Sequence, residues 1–262
     1  TMLVLMTCII ASVSSQSSTG FRIVGYYNGP TASVDSFETY KLTHLIFCFG
    51  HLKGNRLSIG STEDSATIRS MVLKKRLNPE LKVMLSLGGW GGCATCSDVF
   101  STSTGRQEFA QSVKEVTTYF GTDGIDMDWE YPSIAGFPGH TFRPEDKENF
   151  TALLKEIRAV NGEDFEISFA AGGFTEYIQS AVDWTEVVKY TDFINIMTYD
   201  LVHGFSTVSG HHTPLYSTPQ QVESTDHAVQ MLLAAGVPAD QLVIGAAFYG
   251  RFFKINEGSP VD

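Results

Sequence analysis

The segment Thr122 to Pro132, TDGIDMDWEYP, sets four acids, Asp123, Asp126, Asp128 and Glu130, among apolar neighbours. Residues two apart in a strand share a face. Asp126, Asp128 and Glu130 therefore face one way, and Ile125, Met127 and Trp129 the other. Same-face Cα atoms lie about 6.6 Å apart, so neighbouring carboxyls can touch. Two buried carboxylates in contact do not both ionise readily, and a row of three holds a proton on its outermost member, Glu130. A carboxyl kept protonated near neutral pH is a general acid. Asp123 has the opposite parity and reads as structural. A solvated acidic turn would not interleave apolar residues so regularly. A Mg²⁺ or Ca²⁺ site is disfavoured because one strand offers a line of ligands and not a cage; the pair His211–His212 reads as a loop feature.

Such a row needs a scaffold. Short apolar runs recur at residues 22–28, 44–50, 82–90, 124–131, 166–173, 193–200 and 242–250. Most are nearly continuous hydrophobics, as expected of parallel strands covered on both faces. Helical spacing lies between them: Phe109, Val113, Val116 and Phe120; Phe150, Leu153, Leu154 and Ile157; Val222, Val229, Leu232 and Leu233. The last helix is expected to start at STPQQ, with Thr218 as N-cap, Pro219 at N1 and Gln221 at N3, and to stop at Gly236. Alternating strands and helices with Gly-rich strand ends predict a TIM (β/α)₈ barrel, an α/β fold, with the acid row pointing into its lumen and Glu130 at the C-terminal mouth. A doubly wound sheet is the alternative; it is disfavoured because the first strand-to-helix turn, YYNGPTAS, lacks GxGxxG, and no GxxxxGK[ST] occurs. No cofactor and no metal are expected. Only seven of the eight barrel strands are visible, so the sequence reads as C-terminally truncated.

The chain has 262 residues, 43% of them hydrophobic, and a formal net charge of −11. That field repels nucleic acid and anionic membrane surfaces and accommodates a neutral substrate. Residues 1–20 begin with an apolar run, Met2 to Ala11, too short to span a bilayer and followed by small polar residues; they read as a partial secretory signal cleaved near Ser15, leaving 21–262 as the barrel. Cys8 would leave with it, and Cys48 reads as an inert core residue. Cys93 and Cys96 form CATC, which is compatible with a short-loop disulfide or with free thiols.

DGIDMDWEYP resembles the DxxDxDxE signature of family 18 glycoside hydrolases, the chitinases. LSLGGW (85–90) is similar to that family's SxGG motif, MTYD (197–200) to its sixth-strand motif and FYGR (248–251) to its seventh; DKENFTALLKEIR (146–158) resembles the helix after the acidic strand. The closest likeness is to secreted bacterial chitinases. The resemblance implies a retaining, substrate-assisted mechanism. Glu130 would protonate the glycosidic oxygen while the substrate's own acetamido oxygen attacks the anomeric carbon. Asp128 would turn toward Glu130 and stabilise the developing positive charge, and Asp126 would share its proton. Tyr199 would hold the acetamido oxygen. Met197, Asp200, Trp90, Tyr26, Phe49, Ser86 and Arg251 would line or support the sugar site, Ser86 and Tyr26 from beneath Asp126. An eighth-strand Trp that floors the pocket in the family falls outside this sequence.

The resemblance implies chitin or chitooligosaccharides as partner, a secreted, extracellular enzyme, and a monomer. A chitinase-like lectin on the same barrel is the alternative from another class, but lectins of this kind lose the proton donor, and Glu130, Asp128 and Tyr199 are present. An endo-β-N-acetylglucosaminidase acting on N-glycans shares the acidic signature.

Overall fold

The structure, a computed structural model, describes residues 20–254. The leader segment, with Cys8 and the cleavage region near Ser15, lies outside the described residues. The elements in chain order are β1 (Val24–Tyr27), β2 (His44–Lys53), β3 (Arg56–Ser58), α1 (Thr62–Leu73), β4 (Lys82–Gly88), α2 (Cys96–Phe100), α3 (Ser103–Phe120), β5 (Gly124–Asp128), α4 (Asp146–Asn161), β6 (Glu166–Gly172), α5 (Thr175–Ser180), α6 (Trp184–Val187), β7 (Phe193–Met197), α7 (Thr225–Ala234) and β8 (Leu242–Ile244). Seven parallel strands pair in the order β1-β2-β4-β5-β6-β7-β8, and β3 turns back antiparallel on β2. The result is a curled parallel sheet with helices on its outer face, a TIM-barrel arrangement in which β1 and β8 are the edges among the described residues. The β2–β3 hairpin was not legible as a separate strand.

The expected period-2 alternation sorts the core into two bodies. Outward residues Leu45, Phe47, Val83, Leu85, Leu87, Ile125, Met127, Ile167, Phe169, Ile194 and Ile196 join the helices in one large cluster. Inward residues Ile46, Met84 and Phe193, with Val24 and Val243, plug the lower lumen. Above that plug the lumen turns polar at Ser86, Asp126, Ser168 and Asn195, one layer higher in the pleat.

The helices dock by the stripes their spacing announces. Phe109, Val113 and Phe120 of α3 and Phe150, Leu153, Leu154 and Ile157 of α4 are buried, each aromatic or aliphatic side chain contributing roughly 1.5–3 kcal/mol. Thr102 caps α3 by accepting from Gly105 N–H at 3.0 Å, and Gly121, at φ 74°, ends it.

Asp123 stands at the entry to β5. Its carboxylate accepts from the Val83 amide at 2.7 Å and pairs with Lys75 at 2.6 Å, tying the start of β4 to β5. Asp192 repeats the device ahead of β7, accepting from the Ile167 amide at 2.7 Å while paired with Arg158.

Three expectations need correction. The last helix does not begin at Thr218. Thr218 and Gln221 close a turn on each other through both backbone bonds and the threonine hydroxyl, and the Gln221 side chain bridges the amide and carbonyl of His211. Ser224 caps α7 instead, accepting from the His227 amide at 3.1 Å. Val222 therefore lies outside the helix, 57% exposed, while Ala228 and Leu232 form its buried face; Gly236, at φ 89°, follows its last turn as expected. The acidic strand is also shorter than its pattern. It ends at Asp128, because β4 turns away at Gly88 (φ 110°) and offers no further ladder partner. Glu130 stands on the loop just past it. Likewise β8 spans 242–244 and not 242–250.

Candidate active site

The site is built from the strand ends upward. Asp126 is fully buried and takes four donors. Ser86 Oγ (2.7 Å) and Tyr26 Oη (3.1 Å) donate to one carboxylate oxygen, and Ser168 Oγ (2.6 Å) and Asn195 Nδ2 (3.2 Å) donate to the other. Asn195 Nδ2 also donates to Tyr26 Oη at 2.8 Å. Burial pushes the Asp126 carboxyl above the usual carboxylate range, and the four hydrogen bonds pull it back. Four donors suit the anion, which only accepts, so Asp126 is the charged member of the row. The Tyr26 ring is 41% exposed along the free flank of β1, yet its hydroxyl lies inside this network, where burial and the charge of Asp126 raise its pKa.

Asp128 is 6% exposed, and its Oδ1 has no hydrogen-bond partner among the described residues. Burial, then the charges of Glu130 and Asp126, push its carboxyl well above the usual range. Glu130 is raised to about 7, chiefly by burial and further by the charge of Asp200, with the Tyr131 hydroxyl acting the other way. The charge of Glu130 bears on Asp128. The row is thus graded: an anion clamped at the bottom, protons held above it, and an outer carboxyl that gives up its proton near neutrality.

Gly88 makes the close approach of β4 to the row geometrically feasible. A Cβ there would sit 2.2 Å from the Asp128 carbonyl oxygen, and its φ of 110° excludes most side chains. On the other side of the loop, a Cβ on Gly136 would sit 2.1 Å from the Glu130 carbonyl oxygen.

The remaining residues surround the row. Tyr199 and Met197 are half-buried at and beyond the end of β7; burial and then the charge of Asp128 raise the pKa of the Tyr199 hydroxyl. Asp200, at φ 54°, receives Tyr249 Oη and Arg251 Nε, each at 2.7 Å. Arg251, expected at a sugar, is thus paired with Asp200. The Phe49 ring packs on Gly89, where a Cβ would lie 2.6 Å from it. Trp90 is 51% exposed and lies near Tyr131 and Phe137, with ring centroids at 6.4 and 5.5 Å. Cys93 and Cys96 form a disulfide with Cα atoms 5.4 Å apart, and Cys48 is a buried free thiol.

Sequence reasoning missed three participants. Ser168 and Asn195 are single polar residues in apolar runs; only the register Asp126↔Ser168 brings the former to the row. His212 was left as a loop feature. Its Nδ1 accepts the Asp200 amide at 3.0 Å and faces the Asp200 carboxylate at 3.2 Å. No local pattern joins residues twelve apart across an irregular loop.

The sequence matches the model of "Glycosyl hydrolases family 18" over residues 22–261. It is 29% identical to Chitinase A1 of Niallia circulans over 94% of this chain, and spans 46% of that protein's length. Among solved structures, it superposes with a TM-score of 0.80 on a family 18 N-acetylglucosaminidase from Paenibacillus barengoltzii, at 36% identity over 87% of this chain and 69% of that one. The chitinase domain of the spore coat protein CotE from Clostridium difficile gives a TM-score of 0.80 at 33% identity, over 88% of this chain and 66% of that one. The ordered motifs, the barrel that carries them and the family match agree: this chain belongs to glycosyl hydrolase family 18.

Proposed function

We propose that the protein hydrolyses β-1,4 linkages of N-acetylglucosamine polymers, chitin or chitooligosaccharides, with retention and with the substrate's acetamido group as nucleophile. The observation that carries this reading is Glu130: a carboxyl at the barrel mouth, raised to about 7, beside Asp128. Glu130 donates its proton to the glycosidic oxygen as the bond to the anomeric carbon breaks. The acetamido oxygen closes onto that carbon, and an oxazolinium ion forms. Asp128 accepts the acetamido N–H and, as the positive charge develops, passes its own proton down to Asp126, so that the Asp128 carboxylate balances that charge, while Tyr199 hydrogen-bonds the acetamido oxygen and keeps it in line. A water, deprotonated by Glu130, then opens the ring and restores the β-anomer.

Asp126 acts from below. Held as an anion by Ser86, Tyr26, Ser168 and Asn195, it raises the proton affinity of Asp128. Trp90, Phe49, Met197, Asp200 and Arg251 supply the sugar-facing surface. The protein works as a secreted monomer: the apolar start of the sequence reads as a leader, and the Cys93–Cys96 disulfide suits an oxidising compartment. A binding-only role on the same barrel would leave the raised Glu130 without a task.

Glu130→Gln tests the reading. The variant should lose turnover of chitohexaose by roughly 10³-fold or more while still binding it, and the intact enzyme should release the β-anomer first by NMR. Substantial turnover by the variant, or α-anomer first, would refute it.

A further inference from the structure

Asp200 follows Tyr199 directly, and its backbone is strained. At φ 54° it sits in the left-handed region, which a non-glycine residue keeps only when its surroundings hold it there. What holds it is a histidine on the next loop. His212 Nδ1 accepts the Asp200 amide at 3.0 Å, and the His212 carbonyl accepts the Leu201 amide at 3.1 Å. The segment that carries His212 is fixed in turn, because the Gln221 side chain spans the amide and carbonyl of His211 at 2.7 and 2.9 Å. The imidazole packs on the Tyr249 ring at 4.9 Å, and Tyr249 meets Tyr199 edge on at 6.1 Å.

Nδ1 also lies 3.2 Å from Asp200 Oδ1. One ring nitrogen cannot accept from the amide and donate to the carboxylate at once. The available partners decide between the two. The carboxylate has other donors: Arg251 Nε at 2.7 Å and Nη2 at 2.5 Å on Oδ1, and Tyr249 Oη at 2.7 Å on Oδ2. The amide has only Nδ1 among the described residues. Nδ1 is therefore bare, and the ring proton sits on Nε2. That nitrogen is buried, with no hydrogen-bond partner among the described residues. An apolar side chain of similar shape would fill the space without burying an unpaired donor, so filling space does not account for the imidazole.

We infer that His212 is a positioning residue for the reaction: its unprotonated Nδ1 latches the Asp200 amide, fixes the turn after β7, and so sets where the Asp200 carboxylate stands. The inference rests on the hydrolase reading above. Its consequence reaches Glu130, because the charge of Asp200 is one of the causes that raise that carboxyl. Without the latch the amide loses its acceptor and the left-handed turn its restraint. The carboxylate is then left to two exposed side chains, Tyr249 and Arg251.

The test compares His212→Asn and His212→Leu with the parent. The Asn carbonyl oxygen can occupy the place of Nδ1 and take the same amide; Leu fills the space and cannot accept. The measurement is kcat/KM for chitohexaose across the alkaline limb. His212→Leu should lose roughly tenfold to a hundredfold and move the limb to lower pH, and His212→Asn should restore both. A Leu variant with parent activity, a loss with the limb unmoved, or an Asn variant as impaired as Leu would overturn the inference. NMR of protein carrying ¹⁵N-histidine gives a second readout that needs no turnover. The His212 signals, identified by their absence from His212→Asn, should show a pyridine-type Nδ1 and a protonated Nε2; a proton on Nδ1 would overturn the latch. This readout keeps the test decisive where His212→Leu does not fold. If the parent cleaves no chitohexaose the hydrolase reading fails, and the ring tautomer still decides whether His212 holds Asp200.

Discussion

Ser168 Oγ lies 2.6 Å from the carboxylate of Asp126, on the oxygen that Ser86 does not use. The two serines come from the strands either side of β5 and pinch the lowest acid of the row between them. With Tyr26 of β1 and Asn195 of β7 completing the set, the charge of Asp126 is a property of five strands and not of one residue.

Removing one side of the pinch is costly. Ser168→Ala leaves a fully buried carboxylate short of a donor, and should lower stability by about 1–3 kcal/mol. Urea denaturation followed by tryptophan emission measures it. A variant as stable as the parent would mean that Asp126 does not depend on this bond.

The alkaline side of the pH profile should belong to Glu130. A general acid must hold its proton, so kcat/KM is expected to fall as pH rises through about 7. Asp200 contributes to that value by its charge. Asp200→Asn should therefore make Glu130 easier to ionise and move the alkaline limb to lower pH, besides lowering activity through the lost sugar contact. A limb that stays in place would remove Asp200 from the titration.

The same proton carries a stability signature. Glu130 is raised from 4.5 to about 7, so folding favours its neutral form. Its contribution is fully present below the unfolded value and is lost as pH rises through the folded one. Between pH 5 and 8 the parent should lose on the order of 2–3 kcal/mol through this group, and Glu130→Gln should flatten that loss. Paired urea titrations at the two pH values decide it; a parent curve that does not fall would show the carboxyl to be ordinary.

Gly88→Ala should be damaging, because a methyl there meets both a steric block and an unfavourable backbone angle. The new Cβ would meet the Asp128 carbonyl oxygen at 2.2 Å, at a φ of 110°. A loss of more than about 2 kcal/mol, or failure to fold, is expected in thermal melts. A stable, active Gly88→Ala protein would mean that β4 can retreat from the row.

The parity of GIDMDWEY was enough to place Asp126 and Asp128 inward and Ile125, Met127 and Trp129 outward, because burial on one face leaves a period-2 mark in a single strand. The end of that strand was not readable, since it depends on where β4 bends. Ser168 and Asn195 escaped for a related reason: a lone polar residue inside EISFAAGG or FINIMTYD gains meaning only through lateral register, which no single segment records. The start of α7 failed differently. Pro219 and Thr218 form a good local start signal, yet the segment closed into a turn and Ser224 took the cap.

The carboxylates ahead of β5 and β7 have a consequence for how the chain finds its alignment. Asp123 and Asp192 each grip a main-chain amide of the adjoining strand, and each is anchored by a basic side chain. A slip by one position would rotate the acid file into the greasy outer layer and leave both grips empty. The two latches therefore act as alignment pins: they take no part in bond breaking, and they make any misthreaded sheet electrostatically expensive before a substrate is ever met.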